Sequence, residues 1–339
     1  MLVVLTCVAF DVTSGFHDMA DLTATSIATR ALRPAAAVAI VVVFGFTGPL
    51  VVGTAVADTI GSFVQLGGLP PSEALRIVVA GVGGAIAWNL VTWRAGIPSS
   101  STHALVGGLI GAVVVSAGPG SVNWGGEALA DGELDGVLKI AVALLVSPVL
   151  GLMAGFLVQR AFHLAVRGAT PRANRPLRAL QAFTCAFLAF AHGANDAQKS
   201  MGIVTLALVL SGSIAAFEVP LWVIVLSSTS LTVGALTGGW RIVRTLGFGV
   251  YHLRPLTGSS AQLAGAGVIY GAALAGGPVS TTHVVSSAIM GVGAAERPRS
   301  VGWETGKAMV FTWLVTVPSA AVVGAGLSLA IQGIAALAG

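Results

Sequence analysis

The sequence contains few charged residues. Asp, Glu, Lys and Arg make up only 9% of its 339 residues, whereas about 25% is usual in soluble domains. A chain with so little charge cannot cover a globular surface with solvated groups, and 55% of it is hydrophobic. These values exclude a soluble globular protein and predict an all-α polytopic membrane protein.

Cysteine is nearly absent, and the excess of positive charge is small. Cys7 and Cys185 both lie in apolar runs, so a disulfide framework is excluded and both side chains are expected to pack as small hydrophobic groups. The net charge of +4 does not indicate a nucleic-acid partner, because basic residues in a membrane protein mainly set its orientation. No basic residue precedes the apolar run at Met1, so we expect no cleavable signal peptide.

Apolar segments alternate with short polar stretches along the whole chain. A membrane helix needs about 20 mostly apolar residues, and two of the segments, 104–118 and 282–295, are shorter than that. Each follows a turn rich in Pro, Ser and Thr, which predicts broken or re-entrant helices enclosed by protein or a water-filled cavity. About 10–12 membrane segments are expected, with candidates near 1–29, 35–57, 75–94, 104–118, 137–166, 179–210, 219–237, 257–275, 282–295 and 306–336.

Two pairs of polar motifs recur about half a chain apart. Residues 6–18 share Thr-Cys and Gly-x-x-Asp with residues 184–196, at an offset of 196 − 18 = 178. The Pro-Ser/Thr-His stretch 98–103 matches 278–283, at an offset of 283 − 103 = 180. Such spacing is typical of an internally duplicated membrane protein with inverted-topology repeats. We predict a first repeat at 1–165, a linker at 166–178 and a second repeat at 179–339.

Basic residues concentrate between the two halves. Five arginines lie between positions 160 and 178, and short basic loops stay on the cytoplasmic side of a membrane. The linker 166–178 is therefore expected to be cytoplasmic. The composition and this asymmetry together predict a multi-pass protein of the cell (plasma) membrane in direct contact with the lipid bilayer.

The two Ser/Thr-rich runs each follow a proline and open a short helix. A helix start presents free N–H groups and the positive end of the helix dipole, which favours an anion. Ordinary N-capping explains a single run equally well, but two matched runs in one membrane protein favour an anion site at the repeat interface. The candidate anion contacts are Ser100, Ser101, Thr102, Ser280, Thr281 and Thr282.

Three acids, Asp18, Asp21 and Asp196, lie in or beside the repeated Gly-x-x-Asp motif. Carboxylates repel an anion, so they are expected to hold a proton or another cation. Two such charges 4 Å apart repel by about 4 kcal/mol at an effective dielectric near 20. A bound cation removes this repulsion and strengthens anion binding, and the effect is reciprocal. His17, which titrates near neutral pH, joins these acids as a candidate for the coupling ion.

Several other polar residues allow more than one interpretation of their role. Lys199 shares a helical face with Asp196 and either neutralises it or reaches the anion. Asn195 and Gln198 either donate to the anion or ligate a cation through their carbonyl groups. Asp11 either belongs to a proton path or pairs with a neighbouring helix. His192 adjoins the motif, without a counterpart in the first copy.

These motifs resemble those of the inorganic phosphate transporter (PiT) family. The stretch 193–196, Gly-Ala-Asn-Asp, followed by Ala-Gln-Lys-Ser, is similar to the family's repeated signature. Residues 15–18, Gly-Phe-His-Asp, resemble the first copy in the bacterial low-affinity branch. The stretches 98–103 and 278–283 are similar to the two Ser/Thr-His elements of the family. The resemblance covers nearly the whole chain in the right order.

The resemblance implies inverted repeats, a homodimer, and symport of inorganic phosphate with H⁺ or Na⁺, with a neutral metal–phosphate complex as a further form of the substrate. It implies that Asp18 and Asp196 are cation-linked acids and that the Ser/Thr runs contact phosphate. If the ion is Na⁺, Asp18, Asp196 and Asn195 would hold it. Two departures bear on the coupling ion: Asp21 stands where the family usually has asparagine, and His17 replaces an asparagine in the first copy.

Sulfate or a related oxyanion is an alternative substrate that the same fold can carry. An intramembrane hydrolase is disfavoured, because neither Thr-His pair has a nucleophile elbow and catalysis rarely needs two matched sites. We therefore expect no enzyme activity and no cofactor other than the coupling ion.

Overall fold

The computed structural model describes residues 1–168, 174–238 and 240–338. These residues are almost entirely helical, and their only β pairing is an isolated bridge between Val64 and Val122. The helices are α1 (Leu2–Ala28), α2 (Pro34–Val52), α3 (Ala55–Ser62), α4 (Pro71–Ala95), α5 (Ser101–Ala117), α6 (Gly126–Ala130), α7 (Gly136–Ala165), α8 (Asn174–Leu210), α9 (Leu221–Thr237), α10 (Trp240–Arg244), α11 (Pro255–Leu274), α12 (Thr281–Glu296) and α13 (Trp303–Ala338). The predicted all-α class is confirmed.

Several helices are suited to a bilayer. Within the described residues, α1, α2, α4, α7 and α13 are long and apolar enough to cross a membrane, and α9 together with the helical stretch 242–249, which lies at an angle to it, is a sixth candidate. The sequence pattern predicted about 10–12 segments. The long helices α8 and α11 fall outside this set because each carries a polar stretch, 192–200 in α8 and 257–262 in α11. Most of these polar side chains are buried. The residues that lower the mean hydropathy of α8 and α11 therefore lie in the interior of the protein.

The two short helices predicted beside the Ser/Thr runs are α5 and α12, with 17 and 16 residues. Both begin in the same way. Ser100 Oγ accepts the amide of His103 at 3.2 Å, and Ser280 Oγ accepts the amide of His283 at 3.3 Å. A serine N-cap satisfies one of the free N–H groups at a helix start, so each polar run fixes where its helix begins.

Equivalent helices of the two halves pack reciprocally. Helix α5 lies on α13 and α12 lies on α7, while α1 packs on α9 and α8 packs on α2. The turns after α5 and α12 also match, because Trp124 Nε1 donates to Pro119 O and Trp303 Nε1 donates to Pro298 O, both at 2.9 Å. A duplicated chain produces such pairs. The repeat boundaries 1–165 and 179–339 and the inverted orientation stay predictions.

Glycine allows the helices that carry the acids to approach their neighbours. A Cβ on Gly15 of α1 would lie 2.0 Å from the carbonyl oxygen of Leu231, and a Cβ on Gly193 of α8 would lie 2.0 Å from that of Gly45. Any side chain at either position would clash with backbone. The glycine of both Gly-x-x-Asp motifs is thus explained by close helix packing, which small residues permit in membranes.

One predicted membrane segment is interrupted. The segment 35–57 is not continuous, because α2 ends at Val52 and Gly53, at φ 96°, turns the chain before α3 begins at Ala55. Helix α8 begins at Asn174, inside the stretch 166–178 that was predicted as a linker. Residues 169–173 of that stretch lie outside the described residues, and the cytoplasmic linker stays a prediction.

Candidate functional site

The acids of the two repeated motifs meet in the interior. Asp18 of α1, and His192 and Asp196 of α8, each bring a side-chain ligand atom within 4.8 Å of the others, and all three side chains are buried. Positions 18 and 196 are 178 residues apart in sequence. The packing of α1 against α8 therefore places both carboxylates where one cation can contact them.

The starts of α5 and α12 supply hydroxyl donors to this pair of acids. Ser101 Oγ donates to Asp18 Oδ2 at 3.3 Å, and Thr281 Oγ1 donates to Asp196 Oδ1 at 3.0 Å. The two hydroxyls occupy matched places, since 281 − 101 = 180. Each half thus directs one helix start at one carboxylate, so the positive ends of two helix dipoles and two hydroxyl groups converge on the acids.

The other predicted hydroxyl contacts have structural partners. Ser100 and Ser280 cap their helices, and Thr102 Oγ1 donates to the carbonyl of Val279 at 3.0 Å. Thr282 Oγ1 donates to Asp21 Oδ2 at 2.7 Å. Of the six candidates, Ser101 and Thr281 lie at the paired acids, Thr282 lies at the third acid, and the remaining three hold the helix starts in place.

Three nitrogen-bearing side chains surround the acids. Lys199 Nζ donates to Asp196 Oδ2 at 2.5 Å, one helical turn along α8. His192 Nδ1 lies 3.5 Å from Asp196 Oδ1 and 3.0 Å from Thr281 Oγ1. His17 Nδ1 lies 3.6 Å from Asp18 Oδ1. In this structure Lys199 is thus the counter-charge of Asp196. This is one of the two roles that the sequence allowed for Lys199.

The side chains of Asn195 and Gln198 are held by hydrogen bonds to backbone groups. Asn195 donates from Nδ2 to the carbonyl of Gly277 at 3.0 Å and accepts the amide of Val279 on Oδ1 at 3.2 Å. Gln198 Oε1 accepts the amides of Val56 at 2.8 Å and Ala57 at 3.2 Å. Asn195 therefore ties α8 to the chain before α12, and Gln198 caps the start of α3. Both were predicted as anion or cation contacts, and this geometry favours a positioning role.

Two buried carboxylates keep an oxygen without a partner. Oδ1 of Asp21 and Oδ1 of Asp11 have no hydrogen bond among the described residues, although both side chains are almost fully buried. Buried polar atoms are nearly always satisfied. These two oxygens are therefore candidates to accept a proton or to receive a cationic group.

Comparison with known proteins agrees with this geometry. A model of the phosphate transporter family matches residues 14–324. The chain belongs to the phosphate transporter family. Its relatives include probable low-affinity inorganic phosphate transporters of Bacillus subtilis (strain 168), 39% identical over 327 residues, and of Rhizobium meliloti (strain 1021), 40% identical over 329 residues, each match covering 96% of this chain and 95% of the relative.

The fold is also shared with a solved structure. That structure, described as the sodium-dependent phosphate transporter, superposes with a TM-score of 0.85, at 23% identity and covering 98% of both chains. The family and its relatives are transporters, so this transporter is not an enzyme. Together with its membrane-spanning helices, this makes it a multi-pass protein of the plasma membrane, as the sequence predicted.

A pair of histidines lies in the first turns of α5 and α12 of this transporter. The rings of His103 and His283 have centroids 4.6 Å apart, and His283 stacks on Trp313 at 3.8 Å. Both histidines line a cavity of about 1050 Å³ between α5, α7, α12 and α13, whose walls are mostly apolar. Asp18 and Asp196 do not line this cavity, so it does not contain the site.

One residue at the site was left without a role from sequence. His192 contacts both Asp196 and Thr281, but it has no counterpart in the first copy of the motif, where Ser14 stands. Its spacing of four residues from Asp196 places the two side chains on one helical face. This spacing is the sequence signal that indicates a role for His192.

Proposed function

We propose that this transporter is a symporter that moves inorganic phosphate across the plasma membrane together with a cation. The observation that carries the proposal is the meeting of Asp18 and Asp196 in one buried site, each accepting a hydrogen bond from a hydroxyl at a helix start. The acids would hold the cation, and the hydroxyls of Ser101 and Thr281 would turn from the neutralised acids to the phosphate oxygens.

The charges give a physical reason for coupling. Asp18 and Asp196 lie within 4.8 Å of each other, and an anion that entered at about this distance from an ionised carboxylate would be repelled by about 3–4 kcal/mol at an effective dielectric near 20. A cation that neutralises the carboxylate removes this penalty. Each 1.4 kcal/mol is a factor of ten in affinity, so the cation can improve phosphate binding by roughly a few hundred-fold.

We propose H⁺ as the coupling ion, with Na⁺ as the alternative. Imidazole and ammonium nitrogens of His17, His192 and Lys199 surround the acids, whereas hard metal cations prefer oxygen ligands. The carbonyl oxygen of Asn195 already accepts a backbone amide, which weakens its candidacy as a Na⁺ ligand. A proton needs only one free carboxylate oxygen.

A metal–phosphate complex is a further form of the substrate that the site can accept. Asp18, His192 and Asp196 offer two carboxylates and an imidazole within 4.8 Å of one another. A divalent cation that enters bound to phosphate would meet these groups while its phosphate meets the two helix starts. The cation is then cargo, and uptake would depend on it.

The test is uptake of labelled phosphate into proteoliposomes, with pH gradient, Na⁺ and Mg²⁺ varied one at a time. We expect uptake driven by an inward proton gradient, abolished by Asp196→Asn and weakly inhibited by excess sulfate. Glu304→Gln is the matched control, since it makes the same change of acid to amide on an exposed side chain. Uptake that Asp196→Asn leaves intact would contradict the role of this acid, and stronger transport of sulfate would favour the sulfate alternative.

The homodimer implied by family resemblance is part of this proposal. Helices α2, α7 and α13 carry many of the exposed apolar side chains, which can face lipid or a second copy. Light scattering of the detergent-solubilised transporter measures its mass directly. Twice the mass of one chain is expected, and a stable monomer that transports phosphate would contradict the dimer.

A further inference from the structure

A second cavity lies beside α3 and does not include the acids of the site. Its volume is about 700 Å³, and its lining comes mainly from α3, from the start of α7, and from the end of α11 with the two residues after it. The charged residues in this lining are Asp58, Asp135 and Lys139, so it offers carboxylates and an ammonium group. We call this cavity the vestibule.

The segment 276–280 connects the vestibule to the site. Gly276 lines the vestibule, and Thr281, the residue after the segment, donates to Asp196. A step of 281 − 276 = 5 residues spans at most about 18 Å, so the vestibule comes close to the acids. Asp18 and Asp196 are buried and do not line it. The two spaces are therefore separate in this structure, and the segment runs from one to the other.

Side chains of three helices hold the segment 276–280 by its backbone. Asn195 of α8 and Thr102 of α5 bind backbone groups of residues 277 and 279. Thr59 of α3, which lines the vestibule, donates from Oγ1 to the carbonyl of Gly276 at 2.8 Å. Thr59 is thus the contact on the vestibule side of the segment.

The contact between Thr59 and Gly276 can open without leaving a donor unpaired. The Thr59 hydroxyl has a second acceptor on its own helix, the carbonyl of Ala55 at 3.3 Å. The carbonyl of Gly276 belongs to a residue of the vestibule lining, where water can replace the lost donor. Since a broken hydrogen bond is most costly when it leaves a buried group unpaired, this contact is suited to a reversible movement.

A matching contact holds the segment before α5. Gly96 occupies the place of Gly276, since 276 − 96 = 180, and both residues have a positive φ, 70° and 67°. Thr245 Oγ1 donates to the carbonyl of Gly96 at 3.4 Å, and the segment 96–100 leads to Ser101 at the paired acids. Each helix start that contacts one of these acids is thus preceded by a glycine that a threonine hydroxyl holds.

The two segments lie toward opposite ends of the molecule. Residues 63–65, shortly before α4, pair with residues 121–123, and Asn123 donates to Asp135 of the vestibule, so α4 begins near the vestibule. Its 25 residues make it about 37 Å long, and Gly96 follows its far end. Paths through the two segments would therefore open on different sides of the membrane.

We propose that the vestibule is the extracellular entrance for phosphate and its coupling cation, and that the segment 276–280 is the gate that Thr59 holds shut. The segment 96–100, held by Thr245, would be the gate on the cytoplasmic side. The orientation follows from α7, which is long enough to cross a membrane and runs from the vestibule to the basic stretch predicted to be cytoplasmic. This inference rests on the proposed function, and it assigns Thr59 as a positioning residue.

The vestibule and the gate suit a symporter. Lys139 would attract the phosphate, while Asp58 and Asp135 would attract the cation, so both ions can enter by one route. The gate continues directly into the start of α12. Its opening would therefore move Thr281, which links the gate to Asp196 through one stretch of backbone.

Thiol accessibility from outside the cell tests the gate. In a background with Cys7→Ala and Cys185→Ala, Ser280→Cys places a thiol at a buried position behind the gate, and Ser62→Cys places one in the vestibule. A membrane-impermeant methanethiosulfonate reagent is added to intact cells, and mass spectrometry of the purified transporter gives the labelled fraction. We expect rapid labelling of Ser62→Cys and slow labelling of Ser280→Cys. Labelling of Ser62→Cys only after the cells are opened would overturn the extracellular placement.

Loss of the Thr59 hydroxyl should open the gate more often. One neutral hydrogen bond shifts such an equilibrium by about two- to tenfold, so Thr59→Val should speed the labelling of Ser280→Cys by that factor. Thr59→Ser keeps the hydroxyl and should restore the slow rate. If Thr59→Val does not reach the membrane, Thr59→Ala makes the same deletion. An unchanged rate without the hydroxyl would overturn the inference.

Two further variants separate a gate from a general loosening of the fold. Thr205→Val on α8 deletes a buried hydroxyl that has no partner within the described residues, and it should leave the rate unchanged. Thr245→Val removes the contact at the opposite end, so it should not speed labelling of Ser280→Cys from outside. If either variant accelerated labelling as much as Thr59→Val, the assignment of Thr59 to the gate would be contradicted.

The labelling needs no transport, so the two proposals fail separately. If the wild type takes up no phosphate under any cation gradient, the proposed function is wrong, whatever the labelling shows. If uptake is coupled and Thr59→Val leaves the labelling slow, the proposed function stands and only the gate is wrong.

Discussion

Thr281 donates a hydrogen bond from Oγ1 to Oδ1 of Asp196 across 3.0 Å, which brings the start of α12 into contact with the acid on α8. The two residues are 85 positions apart in sequence. The same relation joins Ser101 of α5 to Asp18 of α1. The acid that we propose to hold the cation is thus linked through one proton donor to the helix start that we propose to contact the phosphate, and this link is a direct route by which one ligand can affect the other.

Removing the hydroxyl of Thr281 should weaken phosphate binding. Thr281→Val keeps the shape of the side chain and deletes one donor, and a hydrogen bond to a charged group contributes about 1.5–3 kcal/mol. We expect the half-saturating phosphate concentration to rise by roughly tenfold or more in uptake assays. Thr205→Val is the matched control on α8, because the buried Thr205 hydroxyl has no partner. Equal effects of the two substitutions would argue against a role for Thr281.

Asp21 should set the charge that moves with phosphate. It accepts a hydrogen bond from Thr282 at 2.7 Å and lies in the same buried region as Asp18. Asp21→Asn removes one negative charge that a cation can neutralise, so we expect one fewer positive charge transported per phosphate. Reversal potentials of phosphate flux in proteoliposomes measure this ratio. The same ratio in both proteins would exclude Asp21 from the coupling-ion site.

Gln198 should matter for stability more than for substrate affinity. Its Oε1 accepts the amides of Val56 and Ala57 at the start of α3, so Gln198→Ala leaves two buried donors unpaired. Loss of such a cap costs about 1–2 kcal/mol. We expect a lower thermal unfolding midpoint with an unchanged half-saturating phosphate concentration. A loss of phosphate affinity without a loss of stability would instead support the direct contact between Gln198 and phosphate that was predicted from the sequence.

The close approach of α8 and α2 should not tolerate a side chain at Gly193. An added Cβ would lie 2.0 Å from the carbonyl oxygen of Gly45, and overpacking of this kind costs about 1–3 kcal/mol or more. Gly193→Ala should therefore reduce the folded fraction seen by fluorescence-detected gel filtration. Gly267→Ala on α11 is the control, since nothing lies within 4 Å of its added Cβ. Equal tolerance of both changes would contradict the packing.

The sequence predicted the helical membrane class and the acids and hydroxyls that meet at the site. It could do so because the duplication repeats them at nearly one offset, and two copies of a polar motif in apolar surroundings are hard to explain by chance. Asp18 and Asp196 are close enough to contact one cation, and Ser101 and Thr281 donate hydrogen bonds to them.

The positioning roles of Asn195 and Gln198 were beyond reach of the sequence. Their partners are backbone groups 82–84 and 141–142 residues away in sequence, and no side-chain pattern marks a backbone partner. The end of α2 before Gly53 could not be predicted from the sequence either. It depends on one glycine at positive φ among 45 glycines in the chain, most of which serve helix packing or loops.

Equilibrium linkage between cation and phosphate is the most direct test of coupling through Asp18 and Asp196. Binding of labelled phosphate to the purified transporter would be measured over a series of pH and Na⁺ values, in the wild type and in Asp18→Asn/Asp196→Asn, so that the titration of phosphate itself cancels. We expect the wild type to bind phosphate more tightly as the concentration of the coupling cation rises, and the double variant to lose this dependence. Phosphate affinity with the same cation dependence in both proteins would contradict coupling through these two acids.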